Sequence, residues 1–205
     1  MYTNINPKKE TKSMKADIIL SGVGGQGILS IAAVIGEAAL KEGLYMKQAE
    51  VHGMSQRGGD VQSNLRLSDK PVASDLIPVG QADLIISLEP MESLRYLPYL
   101  KKDGWLVTNA QPFVNIPNYP DLDKVKAEIE KIPNKVILDV EAIAKELGSP
   151  RVANIVMLGA ATPFLSIGYN KIAEGIRSIF ASKSEELIEL NLKALQAGFN
   201  VANKL

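Results

Sequence analysis

The residues Gly22-Val23-Gly24-Gly25-Gln26-Gly27 carry the spacing G-x-G-x-x-G. Glycine lets a backbone turn sharply and lets an anion approach its N–H groups, and a helix that starts directly afterwards adds positive potential. The pattern gains meaning only between a strand and a helix. Both neighbours are present: residues 16–20 form an apolar run ending in Ser21-Gly22, and residues 28–42 read as a helix stopped by Gly43. The segment is therefore read as a phosphate-cradling loop.

A second glycine segment follows the next expected strand, residues 45–50. It reads His52-Gly53-Met54-Ser55-Gln56-Arg57-Gly58-Gly59. A dinucleotide-binding fold wants an acid after its second strand to hold a ribose, and Glu50 stands near that place. Arg57 beside Gly58 and Gly59 points instead to a second anion-binding nest, with Ser55 and Gln56 in the same loop. Arg151 is read as a further phosphate contact and Asn154 as a plain helix cap. His52 is the sole histidine, and with no cysteine in the chain it has no cluster with which to bind a metal. Its expected role is structural. Glu89 and Glu92 flank Pro90 at a helix start, where carboxylates complement the helix dipole. Ser21 and Ser55 have no evident base partner, so no serine nucleophile is supported. No catalytic residue and no metal ligand is assigned.

The elements that position these residues alternate between strand and helix. The period of two in Val61, Ser63, Leu65 and Leu67 marks a strand with one wet face, antiparallel or at an edge. Residues 83–88 read as a buried strand, Pro90 as the first turn of a helix over 91–100, and Lys102-Asp103-Gly104 as a turn into a strand over 105–109. Residues 111–120 hold prolines and form a loop, and Asp121 caps a short helix. A strand over 136–139 and a helix over 140–147 follow. Helices over 154–166, 169–180 and 184–203 complete the chain, with Ser182-Lys183-Ser184-Glu185 as a capping box before the last. The expected fold is α/β: three α/β/α layers around a mostly parallel, Rossmann-like sheet carrying an antiparallel strand, with a helical C-terminus.

Composition narrows the function classes. At 205 residues the chain suits one domain over 15–205, after a polar extension over 1–14 that is expected to be disordered. The net charge is +0 and basic residues form no long run, which argues against a non-specific grip on nucleic acid. The absence of cysteine excludes thiolate catalysis and cysteine ligation of an iron–sulfur cluster by this chain. It fits a cytoplasmic protein. No apolar run is long enough to span a bilayer, and no secretory leader is read.

Taken together, Gly22–Gly27, Glu50-Val51-His52-Gly53-Met54-Ser55-Gln56-Arg57-Gly58-Gly59 and Arg151-Val152-Ala153-Asn154 resemble the gamma-type subunit of 2-oxoacid:ferredoxin oxidoreductases. The middle segment, and Ile86-Ser87-Leu88-Glu89-Pro90 with Ser93-Leu94-Arg95-Tyr96-Leu97, are most similar to the indolepyruvate branch. The resemblance covers residues 15–200. It implies oxidative decarboxylation of an aryl 2-oxoacid, acyl transfer to coenzyme A as a substrate, and electrons passed to ferredoxin. It also implies a larger partner subunit bearing thiamine diphosphate and the iron–sulfur clusters. The chain's lack of cysteine agrees with that division, and Gly59-Asp60-Val61 departs from a thiamine diphosphate motif. Carried over by position, coenzyme A phosphates would meet Gly22, Val23, Gly24, Gly25, Gln26 and Gly27, the nest Ser55, Gln56, Arg57, Gly58 and Gly59, and Arg151 with Asn154. The isolated chain is expected to be inactive and to self-associate, as a homodimer for instance, through its partner-facing surface. Two other readings stay open: a stand-alone NAD- or FAD-dependent oxidoreductase, and a nucleotide-binding module without chemistry.

Overall fold

The apolar runs read from the sequence become the strands of one six-stranded sheet of order β2-β3-β1-β4-β5-β6. The computed structural model describes residues 14–53, 59–114 and 116–204, His52 through its backbone only. The strands are β1 (Lys15–Val23), β2 (Tyr45–His52), β3 (Asp60–Ser68), β4 (Ala82–Ser87), β5 (Leu100–Asn109) and β6 (Lys135–Leu138). β1, β4, β5 and β6 pair in parallel, whereas β3 runs antiparallel to both β1 and β2. Ile18, Ile19 and Leu20 at the centre of β1 are buried on both faces, as a run without alternation requires.

The helices are α1 (Ile28–Lys41), α2 (Pro90–Tyr96), α3 (Leu122–Glu130), α4 (Val140–Glu146), α5 (Ala153–Ala161), α6 (Tyr169–Ile179) and α7 (Glu185–Ala202). Alternation along the strands sorts them into two layers. Ile18, Leu20, Leu84, Ile86 and Val107 join the core formed with α1 and α4 to α7. Ile19, Ile85 and Leu106 join a smaller core with Tyr96 of α2 and Val125 and Ile129 of α3. The three-layer expectation holds. α5 and α7 cross so closely that a Cβ on Gly198 would sit 1.9 Å from the Val156 carbonyl oxygen, and one on Gly159 would sit 2.1 Å from that of Leu195. Only glycine fits at that crossing.

Local signals misplace some boundaries. β3 is antiparallel as expected, but it lies inside the sheet, and β2 forms the edge. Its polar residues are covered rather than wet. Asn64 is buried and its Oδ1 accepts the Ile77 N–H at 3.3 Å. Arg66 donates to the carbonyls of Ser74 and Leu76 at 3.1 and 2.8 Å, so the chain after β3 is strapped over that face. Lys102-Asp103-Gly104 lies within β5 instead of forming a turn. α5 ends at Ala161, and Thr162–Phe164 tightens to a 3-10 turn around Pro163, which cannot continue the helix. The cap of α7 is Ser184, whose side chain accepts the Leu187 N–H; Ser182 stands outside the helix. Met14, placed in the extension by sequence, already contacts the body, its carbonyl accepting the Asp69 N–H at 3.0 Å.

The strap depends on a buried ion pair. Arg66 Nε and Nη2 reach the two oxygens of the fully buried Asp17 at 2.7 and 3.2 Å, and Lys15 Nζ lies 2.8 Å away. Burial disfavours the Asp17 anion, but Arg66 and Lys15 outweigh it and hold its pKa below the ordinary 3.8. A depressed carboxylate pKa gives stability that is present above the unfolded value and lost as pH falls through the folded one. Asp17→Asn should therefore cost about 3 kcal/mol at neutral pH, because it leaves Arg66 without its counter-charge. It should also flatten the loss of stability below pH 3.8, as urea unfolding of both proteins from pH 7 down to pH 3 would show.

Candidate functional site

The glycine segment divides between strand and loop. Ser21, Gly22 and Val23 finish β1, and Gly24–Gly27 make the turn into α1. Gly27 is the first cap residue of α1 with φ 86°, and no side chain caps the helix. A Cβ at Gly27 would also lie 2.6 Å from Asn154 Nδ2. That amide, in the first turn of α5, donates to the Gly27 carbonyl at 3.2 Å. Gly24 N–H donates to the Gly59 carbonyl at 2.9 Å and Gln26 N–H to that of Val23 at 3.2 Å. The N–H groups of Gly25 and Gly27 have no acceptor among the described residues. Together with the bare start of a 14-residue helix they offer an anion both donors and positive potential.

These groups face a cleft of about 300 Å³ lined by Val23, Gly24, Gly25, Gly27, Ile28, Leu29, Glu50 and Val61. Among the described residues its walls are apolar apart from the loop backbone and the half-buried Glu50. Glu50 arrives there by register. Met46, Gln48 and Glu50 share one face of β2, and Met46 packs under Gly36 of α1. Glu50, further along, comes level with the start of that helix.

Gln26 does not line the cleft. Its Oε1 accepts the Val23 N–H at 2.7 Å and its Nε2 donates to the Leu88 carbonyl at 3.0 Å. This side chain bridges the carboxyl ends of β1 and β4, where the chain leaves for opposite faces of the sheet, α1 on one and α2 on the other. Such a switch point is where open α/β sheets hold ligands. Leu88 O also accepts from Asn109 Nδ2 at 3.3 Å, and that amide reaches both oxygens of Glu141 at 3.2 and 2.9 Å.

Glu89 caps α2, as its position at a helix start implies, by accepting the Glu92 N–H at 2.8 Å. It does more than that. The same buried carboxylate accepts from Tyr119 Oη and from Phe113 N–H, and so pins the proline-containing loop after β5 to the sheet edge. Burial, then the bond to Glu89, pushes the Tyr119 pKa up. Glu92 is also raised, by burial first, with Glu89 and Asp60 adding to it and Arg95, 2.7 Å away, partly opposing it. The pinned loop leaves Phe113, Val114 and Ile116 exposed.

The structure thus brings Gly22 to Gly27, Gly59 and Asn154 together. Asn154 holds the loop, and the helix cap is Val152. Arg151 is exposed in the turn before α5 and does not line the cleft. Ser55, Gln56, Arg57 and Gly58 lie outside the described residues. Ser21 Oγ is buried with no hydrogen-bond partner among the described residues, so no base activates it. Among those residues no group of His, Asp and Glu is placed to hold a metal ion, and no helix is long and apolar enough to cross a membrane.

A family model described as pyruvate ferredoxin/flavodoxin oxidoreductase matches residues 17–201. The chain belongs to this family. It is 38% identical over 198 residues to indolepyruvate oxidoreductase subunit IorB of Archaeoglobus fulgidus, covering 92% of this chain and 96% of that one. It is 31% identical to 2-oxoglutarate synthase subunit KorC of Methanocaldococcus jannaschii, over 96% and 99% of the two chains. Among solved structures, the gamma subunit of a keto/oxoacid ferredoxin oxidoreductase from Geobacter sulfurreducens shares 27% identity with a TM-score of 0.67, over 93% and 99% of the two chains. A 2-oxoglutarate:ferredoxin oxidoreductase from Magnetococcus marinus, solved with 2-oxoglutarate, coenzyme A and succinyl-CoA, shares the fold at 24% identity and a TM-score of 0.73. This chain covers 31% of that longer one and is itself covered over 93%.

In this family member the Gln26 bridge sets the loop. Gln26→Ala would leave the Val23 N–H without its acceptor and release Gly24–Gly27 from β4. The expected cost is about 2 kcal/mol, the penalty for orphaning a buried donor. Urea unfolding measures that cost. Amide exchange should quicken at Val23 and Gly24, whose N–H groups are hydrogen-bonded, and stay unchanged in β5 and β6.

Proposed function

We propose that this chain is the smaller subunit of a cytoplasmic 2-oxoacid:ferredoxin oxidoreductase of the indolepyruvate type, holding coenzyme A for a reaction centred on a larger partner. The observation that carries this reading is the cleft itself. Backbone donors and an uncapped helix start face a largely apolar hollow of about 300 Å³, without a paired acid and base among the described residues of its lining. Such a site holds a phosphate-bearing carrier and does not break its bonds. The pyrophosphate of coenzyme A suits the loop N–H groups, and Val23, Ile28, Leu29 and Val61 suit its uncharged stem.

The near full-length similarity to indolepyruvate oxidoreductase subunits supports an aryl 2-oxoacid as substrate. In the assembled enzyme the acid loses carbon dioxide, its acyl group passes to the coenzyme A sulfur, and the electrons released go to ferredoxin. Thiamine diphosphate and iron–sulfur clusters on the partner supply that redox chemistry; with no cysteine, this chain has no thiolate to ligate a cluster. Its own residues bind and orient the carrier. Leu29, Val51, Phe113, Val114 and Ile116 present exposed apolar surface on the loop side of the sheet, which supports a protein interface there and self-association in the partner's absence.

The test uses the full chain alone and co-expressed with its partner. The isolated chain should bind coenzyme A in calorimetry, bind neither NADH nor FAD, and show no turnover. Co-expression should restore reduction of ferredoxin by indolepyruvate with formation of the acyl-CoA. Turnover by the isolated chain, or binding of NADH or FAD without coenzyme A, would overturn the proposal.

A further inference from the structure

Glu89 holds more donors than a helix cap requires. A capping carboxylate needs only the N–H groups at the start of its own helix. This one is 1% exposed, and beyond the Glu92 N–H it accepts the Phe113 N–H at 3.4 Å and the Tyr119 hydroxyl. Both extra donors belong to the loop between β5 and α3. The far end of that loop is tied down as well: the Tyr119 N–H donates to the Ile116 carbonyl at 3.3 Å, and Asp121 caps α3. Between those ties Phe113, Val114 and Ile116 are 45%, 67% and 36% exposed. Single apolar side chains at a surface need no explanation, but these lie close enough to form a patch. A loop free to choose would gain by turning them inward. A buried carboxylate holds this one with them outward.

The same sheet edge carries the glycine segment. The Leu88 carbonyl accepts from Gln26, and the next residue, Glu89, holds the apolar loop. A chain that covers Phe113, Val114 and Ile116 therefore lies at the carboxyl edge of the sheet, where the cleft also opens. We infer that this loop is the surface on which the larger partner subunit docks, and that Glu89 and Tyr119 are positioning residues that keep it in its docking shape. The inference rests on the proposed coenzyme A function, which puts the reaction on another chain, and it names where that chain sits. A second copy of this chain is the poorer occupant, because it brings the same side chains and no cysteine to ligate a cluster. The partner meets the loop with an uncharged, apolar surface, as the core of an interface requires. A loop already held in its bound shape loses less entropy on association.

The test co-expresses the full chain with the larger subunit and follows dissociation of the purified complex on dilution by size-exclusion chromatography. Val114→Asp puts an unpaired charge into the covered surface and should weaken association about a hundredfold or more. Val114 is exposed in the isolated chain, so the melting temperature and the coenzyme A affinity of that chain should stay as in wild type. Tyr119→Phe removes one bond to a charged acceptor and should weaken association about tenfold, with faster amide exchange at Phe113. Glu89→Gln keeps an acceptor oxygen and should fall between wild type and Tyr119→Phe. Wild-type association of Tyr119→Phe would overturn the positioning role. If the Val114→Asp complex is also as tight as wild type, the partner sits elsewhere and the inference fails, while coenzyme A binding by the isolated chain leaves the proposed function standing. If Val114→Asp instead breaks a homodimer of the isolated chain and spares the complex, the loop joins two copies and the inference fails. If the wild-type chain forms no complex, the proposed function fails first, and this inference with it.

Discussion

The amide of Gln26 is the contact on which the site depends. A glycine-rich loop has no side chains with which to fix its own shape, and glycine loses more conformational entropy on ordering than any other residue. The loop must therefore be held from outside. Gln26 does this with both ends of its amide, accepting from Val23 at the end of β1 and donating to Leu88 beyond the end of β4. Asn154 holds the Gly27 carbonyl from α5, and the Gly59 carbonyl holds Gly24 from the far side. Three elements distant in sequence thus fix a turn that could not fix itself. The Leu88 carbonyl is shared with Asn109, so the loop, the end of β4 and the end of β5 form one hydrogen-bonded edge. Buried polar networks of this kind are stable only when every member is satisfied.

The second constraint is the insertion of β3 beside β1. An antiparallel strand inside a parallel sheet must accommodate polar residues that a half-wet strand would expose. The Asp17–Arg66 pair and the Asn64 bond to Ile77 accomplish this by drawing the following segment across the face. The insertion also moves β2, and with it Glu50, one strand further from the glycine loop. The cleft is correspondingly wide. A fold that resembles a dinucleotide-binding one in its first strand, loop and helix thus differs in the ligand shape it admits.

Much of this was legible in the residues, and the illegible part has a physical cause. The β1–loop–α1 unit, the buried strand β4, the strand β6, the Asp121 cap and the layered architecture all rest on periodicity and turn chemistry, which act between near neighbours. The interior place of β3 was not legible, because alternation cannot distinguish solvent from a covering strap of polar contacts. The two Ser residues before α7 offer equivalent local chemistry, and packing of the helix selects Ser184 over Ser182. In the site, the spacing located the loop, but it did not show that Asn154, read as a helix cap, holds the Gly27 carbonyl from α5. It did not show that Gln26 turns away from the cleft, since its partner Leu88 is 62 residues distant. Glu50 was noticed for its place after the second strand and set aside in favour of the Arg57 nest. Its membership in the cleft depends on sheet order, which no local pattern encodes. Glu89 read as a helix-capping acid, and its grip on Tyr119 emerges only when the loop after β5 folds back.

The division of chemistry across the cleft follows from which groups can change charge. Backbone N–H donors do not titrate near neutral pH, and a helix start keeps its partial charge at every pH at which the helix exists. An anion held by the loop is therefore held with constant strength while a reaction elsewhere takes up or releases protons. A lysine or histidine in the same place would tie affinity to pH through its own ionisation. Among the described residues, Glu50 is the one titratable side chain that lines the cleft, at the end away from the loop. Under the proposed reading the loop supplies an attraction that any phosphate can use. A carrier that must arrive and leave again, as proposed here for coenzyme A, is suited to a grip whose strength does not change with pH.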